Sequence, residues 1–409
     1  MLNRRAPSWK LFAILAAAAI LAYLPALTQP FLEDDYPNLA LAIHFLGAWR
    51  DVLNNPAFRL RATSQMWMSA LYSGFGVNAM PYYAAGIFLH VANTWLVFAL
   101  GAWRRIGYGV SAFAALFFAV AEGHQEAVMW VSAVNELLQF FFGMAALVAW
   151  IRFLQSSRWR WLVASLIAVA GALGSKESAP VFLALMAQPL IDHQRKTLWL
   201  APFGAMAAFA MWSVFTAPAS FRFHDGSFSL HAPFWRTLPR SFFAVLWPWG
   251  LAALAALLAW RKRETIWIAL TWIAIALLPY SFLTYSTRIP SRQTYLAGAG
   301  AALLVGAALS ILAQTRRRVL AFAVAVLVVY NVGYLWTRKR SQFLKRAEPT
   351  EQLIELSARV KGPIYMQCFP RPRVVAEQAV WLMTERPPSE LIWDARDASH
   401  AAATFCYRE

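Results

Sequence analysis

Four short clusters in this chain carry the residue types that could do chemistry. The first reads Glu33-Asp34-Asp35-Tyr36. Three consecutive acids beside an apolar run are costly unless they are solvated or employed. One reading is a solvated turn that caps the next helix. The other is a carboxylate base at a membrane surface, its acidity tuned by like-charged neighbours. The second cluster runs from Glu122-Gly123-His124-Gln125-Glu126 to Trp130, with Asn135-Glu136 after it. On a helix Glu122 and Glu126 share a face while His124 points elsewhere, so His124 and Glu126 have poor zinc spacing. The plain alternative is an interfacial helix with a polar edge. The third cluster is Ser175-Lys176-Glu177-Ser178. Adjacent residues diverge on a helix, so Lys176 and Glu177 are not expected to pair there. A recessed lysine suits an anion such as a lipid phosphate, whereas in an ordinary short loop it snorkels outward. The fourth, from Tyr285 to Tyr295, holds Arg288, Arg292 and several hydroxyls. Two guanidinium groups could grip a phosphate there through bidentate hydrogen bonds.

The elements that position these clusters are membrane spans. Hydrophobic residues make up 60% of the 409 and charged residues only 14%, and the mean hydropathy is +0.47. A soluble domain carries about 25% charge, so the composition excludes an ordinary soluble enzyme. Two cysteines exclude a disulfide scaffold. The net charge of +17 is not a nucleic-acid signature, because the Lys and Arg sit mostly at the ends of apolar runs, where they orient spans. At roughly 20 residues per crossing, runs near 11–28, 81–103, 106–121, 137–154, 161–174, 179–191, 197–216, 237–260, 265–283, 294–313 and 319–336 give about eleven spans. The first reads as an uncleaved span, since it continues through Leu24 without a clear small-x-small cleavage site.

With Arg4, Arg5 and Lys10 on the cytoplasmic side, alternate connections fall on that side too. They carry Arg104–Arg105, Arg158 and Arg160, Arg195–Lys196, Arg261–Arg263 and Arg316–Arg318, all basic. The acids Glu33, Asp34, Asp35, Asp51, Glu126, Glu177 and Asp225 fall on the other side. Preserving this alternation requires two short crossings between 161 and 191, with Ser175–Ser178 sunk below the headgroups in protein or a wet cavity. A first outer loop (29–80) holds two helices lying on the membrane surface, 36–54 and 62–74. The tail (337–409) reads as a helix (350–360), a strand (363–368), a helix (373–384) and a strand (390–394). That is a small α/β appendage in which Cys368 and Cys406 could pair if it faces an oxidising compartment. Arg338-Lys339-Arg340 is then the one basic cluster on the discordant side.

Taken in order, the four clusters resemble the GT-C glycosyltransferases. The nearest resemblance is to the transmembrane O-mannosyltransferases that carry tetratricopeptide repeats, and to their bacterial relatives. It rests on the acidic pair in the first outer loop, HQEAVMW after the third span, the Ser-Lys-Glu loop and SRQTYLAG at the start of a late span. These lie between residue 33 and about residue 296; the tetratricopeptide repeats are absent. The resemblance implies an all-α polytopic GT-C-like bundle with 1–336 as the catalytic module; the tail, 337–409, matches no accessory domain of that family and is read from its own pattern as a small, periplasmic C-terminal domain. It implies an inverting, mannosyltransferase-like transfer from a polyprenyl-phosphate sugar to an acceptor that is a protein, lipid or glycan, on the periplasmic face of a bacterial inner membrane. Asp34 or Asp35 would be the base, and Lys176, Arg288 and Arg292 would receive the growing phosphate charge. Glu33, His124, Glu126, Glu177 and Tyr295 would support the site, with Glu126 and Glu177 orienting the acceptor or holding Lys176. A divalent metal at Glu33–Asp35 stays open, since a lipid monophosphate donor needs one less than a nucleotide diphosphate does. Two other readings fit many spans and cavity charges. One is a transporter or flippase of a lipid-linked saccharide; the other is a surface-polysaccharide ligase or polymerase.

Overall fold

The computed structural model describes residues 9–55, 58–216 and 226–408; Arg4, Arg5 and Asp225 lie outside them. Every apolar run of the sequence forms helix. Helices α1 (Trp9–Tyr23), α2 (Asp35–His44), α3 (Trp49–Asn54), α4 (Ala62–Phe75), α5 (Ala79–Ala99), α6 (Gly107–Val120), α7 (Gln125–Val128), α8 (Val134–Ser156) and α9 (Trp159–Leu173) come first. After them come α10 (Val181–Ala187), α11 (Ala201–Phe215), α12 (Phe234–Leu246), α13 (Trp249–Ala259), α14 (Arg263–Leu277), α15 (Tyr295–Thr315) and α16 (Arg317–Tyr334). Among the described residues, six helical stretches are long and apolar enough to cross a membrane. The pair α12–α13, bent by 82°, passes the same test only when its two helices are taken together, as a broken span or a re-entrant loop. Three shorter apolar helices, Gly107–Val120, Trp159–Leu173 and Val181–Asp192, fill further expected runs, and α11 fills the last.

Helices α8 and α15 form the centre, 78% buried over their most apolar windows against 17% for α16. Helix α15 packs closely against α6 and α14 because about half of its residues are Gly or Ala. At Gly306 a Cβ would stand 2.5 Å from the Val110 carbonyl oxygen and 2.6 Å from the Ala114 nitrogen. Small residues let membrane helices approach this closely, where packing replaces the hydrophobic driving force.

The connections sort into two ends as the charge pattern implies. Arg105 bonds to Asp192 at 2.6 Å and pairs with Glu264, and Lys196 Nζ donates to the Leu154 carbonyl at 2.6 Å and to Ser157 Oγ at 2.7 Å. Four of the expected cytoplasmic connections therefore meet. Residues 158 and 192 lie at this one end, so the chain does turn back at Ser175–Ser178. Helix α8 is 23 residues long and carries its start about 34 Å away, to the end where the four clusters lie.

The tail departs from expectation in two ways. Helix α16 does not stop at 336. It continues through a π-helical turn (Leu335–Lys339) into α17 (Arg340–Arg359). The stretch between is charged but holds no Gly, and charge alone does not end a helix; the first proline, Pro349, sits inside α17 and removes one donor. Strand β1 (Ile364–Cys368) and helix α18 (Arg373–Thr384) fall where expected, while the next strand shortens to β2 (Leu391–Ile392). A third strand, β3 (Ala403–Cys406), went unforeseen. All three run parallel in the order β2-β1-β3, and Cys368 and Cys406 are bonded across β1 and β3.

Candidate functional site

The acidic triplet splits three ways, and backbone geometry decides how. Asp35 opens α2 and is fully buried. Its carboxylate accepts the Leu32 N–H at 2.8 Å and the Ser132 N–H at 2.7 Å, tying the first outer loop to the turn before α8. Burial pushes its carboxyl up to about 7 in spite of those hydrogen bonds. Glu33 has a left-handed φ of 33° and turns the other way, towards the tail. Arg346 on α17 grips it at 2.8 Å and Arg371 at 2.9 Å. Asp34, between them, lines a cavity of about 270 Å³ with Arg61, Glu136, Lys176, Tyr285 and Arg292. Burial raises the Asp34 carboxyl above its ordinary range, while Arg292, Arg346 and Arg371 pull it back.

The Ser175–Ser178 turn is held in that cavity by the start of α4. Thr63 N–H donates to the Gly174 carbonyl at 3.0 Å, the Thr63 and Ser175 hydroxyls are 2.7 Å apart, and Arg61 bonds to Glu177 at 2.9 Å. Lys176 is 3% exposed and forms an ion pair with Glu136, itself 5% exposed. Its ammonium also lies 4.8 Å from the centre of the Tyr280 ring, and the Tyr280 hydroxyl donates to Glu136 at 3.1 Å. The counter-charge on Lys176 thus comes from Glu136, forty positions away, where the resemblance implied Glu126 or Glu177.

Arg292 reaches the cavity from the turn before α15. Its backbone N–H donates to Glu126 at 3.2 Å, Gln125 donates to Ser291 at 2.7 Å, and its guanidinium lies 4.4 Å from the centre of the Trp130 ring. Arg288 does not join it. That side chain lines a second cavity of about 120 Å³ with Glu122, Asn331 and Lys339, so of the three expected cations the structure brings Lys176 and Arg292 to one cavity and places Arg288 at another. Two more expected residues belong to packing. The Tyr295 hydroxyl meets His90 Nδ1 at 2.6 Å, and His124 Nδ1 faces the Phe118 carbonyl at 3.1 Å. Both rings are buried among Phe118 and its neighbours, with His124 seated where Gly298 lacks a side chain.

Among the described residues no three His, Cys, Asp or Glu side chains come together, and Glu33, Asp34 and Asp35 face three different surroundings. Sequence reasoning passed over Arg61, Glu136, Trp130, Arg346 and Arg371 as participants. Glu136 and Trp130 lay inside the second cluster and its sequel, whereas nothing local marked the two tail arginines.

No protein-family model matches the chain, and no curated protein does. Solved structures do. ArnT from Cupriavidus metallidurans, bound to undecaprenyl phosphate, superposes with a TM-score of 0.55 at 12% identity, over 96% of this chain and 91% of that one. The oligosaccharyltransferase AglB from Archaeoglobus fulgidus, in complex with an inhibitory peptide and a dolichol-phosphate, gives 0.55 at 10% identity, over 95% of this chain and 65% of that one. A second AglB structure, tethered to an acceptor peptide, gives 0.55 at 11% identity, over 94% and 64%. The chain has the GT-C fold. It is an integral membrane protein of that architecture, and it spans about two thirds of the archaeal enzyme's length.

Proposed function

We propose that this protein is an inverting glycosyltransferase that moves a sugar from a polyprenyl-phosphate donor to an acceptor at the outer face of a bacterial inner membrane. The single observation that carries the reading is the convergence of Asp34, Lys176 and Arg292 on one cavity at the end of the bundle. The solved structures of this fold that hold undecaprenyl phosphate or a dolichol-phosphate support the donor class.

Asp34 is the base. Of the two aspartates it alone lines the cavity, and burial raises its carboxyl above the ordinary range. The acceptor oxygen attacks the anomeric carbon as the bond from that carbon to the phosphate oxygen breaks, and the acceptor's proton passes to Asp34. The transition state has oxocarbenium character, as in glycoside hydrolysis. The departing lipid phosphate goes from about one negative charge to two, so it needs a fixed cation. Arg292 supplies it, because Lys176 is already balanced by Glu136. The net charge of the Lys176–Glu136 pair is zero, and its part is to hold the wall of the cavity. Asp35 anchors the loop.

The test is transfer by the purified protein from a panel of radiolabelled polyprenyl-phosphate sugars, compared with Asp34→Asn. The expected outcome is a labelled covalent product with at least one donor and none from the variant. Full activity in Asp34→Asn removes the base, and flux of a lipid-linked saccharide across vesicles without any product replaces the transferase with a flippase.

A further inference from the structure

Arg346 stands 216 positions after Trp130 in the sequence, yet its guanidinium carbon lies 4.4 Å from the centre of the Trp130 ring. The guanidinium carbon of Arg292 lies at the same distance, 4.4 Å. One indole thus takes up two guanidinium groups, one from the turn before α15 and one from the tail helix α17. Trp130 and Arg292 line the Asp34 cavity. Arg346 stands outside it and is fixed by carboxylates: both oxygens of Glu33, at 3.2 and 2.8 Å, and Glu126 at 3.8 Å. Glu126 in turn accepts the backbone N–H of Arg292. The indole N–H of Trp130 is buried and has no acceptor, so the ring is held by its faces and not by a hydrogen bond of its own.

We infer that Arg346 is a positioning residue for Arg292: it clamps Trp130 and Glu126 so that the Arg292 guanidinium is presented, ready-placed, to the phosphate of the lipid donor. The inference rests on the donor reading above and adds that the C-terminal tail is part of the donor site. Two like charges near one ring would drift apart if either were loose. Here Glu33 and Glu126 neutralise Arg346 and hold it in place, which leaves the charge of Arg292 for a ligand. Lysine cannot reproduce this, because an ammonium has neither the flat face nor the two-pronged donor geometry.

The experiment measures undecaprenyl-phosphate binding and thermal unfolding for the full chain in detergent. The variants are Arg292→Met, Arg346→Met, Arg346→Lys and the double variant Arg292→Met/Arg346→Met. Arg346→Met should weaken binding by about tenfold, the scale of a lost, desolvated cation–π clamp. The double variant should bind no worse than Arg292→Met alone, since Arg346 acts through Arg292. Arg346→Lys should recover melting temperature through its ion pairs but not affinity. A purely structural role would lower the melting temperature and leave affinity unchanged, and that result overturns the inference. So does additive loss in the double variant, or full recovery of affinity by lysine. If the unaltered protein is folded and binds no undecaprenyl phosphate, the donor reading itself falls and takes the inference with it. Binding that survives Arg346→Met sinks the positioning role alone.

Discussion

Replacing Lys176 by methionine separates two jobs that a buried cation could have. Lys176 and Glu136 are 3% and 5% exposed, so their ion pair sits within protein, beside Tyr280. Lys176→Met leaves the Glu136 carboxylate buried without its counter-ion, a change that costs about 3–5 kcal/mol. For a chain of this size that corresponds to a melting temperature lower by about 3–6 °C. Removing both charges, in Lys176→Met/Glu136→Leu, should restore stability to within about 1 kcal/mol, because an apolar pair of similar volume carries no desolvation cost. The Tyr280 hydroxyl keeps Ser178, 2.7 Å away. The assay is thermal unfolding in detergent alongside donor binding. In the double variant the net charge of the cavity is unchanged, so undecaprenyl-phosphate affinity should stay within about threefold of the parent, while Arg292→Met should lose most of it with little change in melting. If Lys176→Met melts like the parent, the pair is not the buried unit described. If the double variant melts normally but loses the donor as fully as Arg292→Met does, Lys176 grips the phosphate itself and the division of labour argued here is wrong.

Two further outcomes follow from the loop and the tail. Asp35 is held protonated up to about pH 7 by burial, whereas an unfolded aspartate ionises near ~4. The native state thus binds the extra proton between those values, and its stability should fall as pH rises through them, by up to about 1.4 kcal/mol per unit. Asp35→Asn should flatten that slope in a pH series of melting curves, and an unchanged slope rejects the assignment. The Cys368–Cys406 bond closes a separation of 38 residues, worth about 4 kcal/mol in the chain-entropy description. Cys368→Ser should therefore expose β3 to limited proteolysis under conditions that leave the parent intact, and equal resistance would show that the bond does not secure the strand.

What could be read from the sequence was whatever is local. Apolar runs and terminal charges are properties of single segments, so the helices and the gathering of the basic connections at one end of the bundle were legible from hydropathy and charge alternation. The burial of Lys176 was legible too, because two flanking runs too short for full crossings place it within protein. Partners were not. Glu177 is adjacent to Lys176 and Glu136 is not, yet the turn at 175–178 sends Glu177 to Arg61 and brings Glu136 across from α8. Asp34 and Asp35 are one residue apart and chemically identical, and only the start of α2 buries one and leaves the other in the cavity. Arg346 meets Glu33 across 313 positions, and no spacing rule reaches that far. The length of the last membrane helix was hidden for a related reason: a run of charges reads as the end of a span, but the helix continues through it and carries Arg346 to Glu33.

That long helix gives the tail a chemical consequence beyond its shape. Three cations pull the Asp34 carboxyl down against its burial and the charge of Glu33, and two of them, Arg346 and Arg371, belong to the tail. A base works only when ionised, so transfer should rise with pH through the Asp34 titration. Removing a tail cation raises that titration, since a nearby positive charge favours the carboxylate. Arg371→Gln tests this most cleanly, because Arg346 still binds Glu33 and Arg292 still faces the cavity. Its rate should match the parent at high pH and fall below it at low pH, with the acid limb of the pH–rate profile displaced towards higher pH. A profile lowered equally at every pH would mean that Arg371 contributes to folding or binding, and a displacement towards lower pH would contradict the electrostatic sign. Either result would disconnect the tail from the base, whereas the expected one makes the ion pairs at Glu33 the means by which a stapled C-terminal appendage sets the acidity of a catalytic group it never touches.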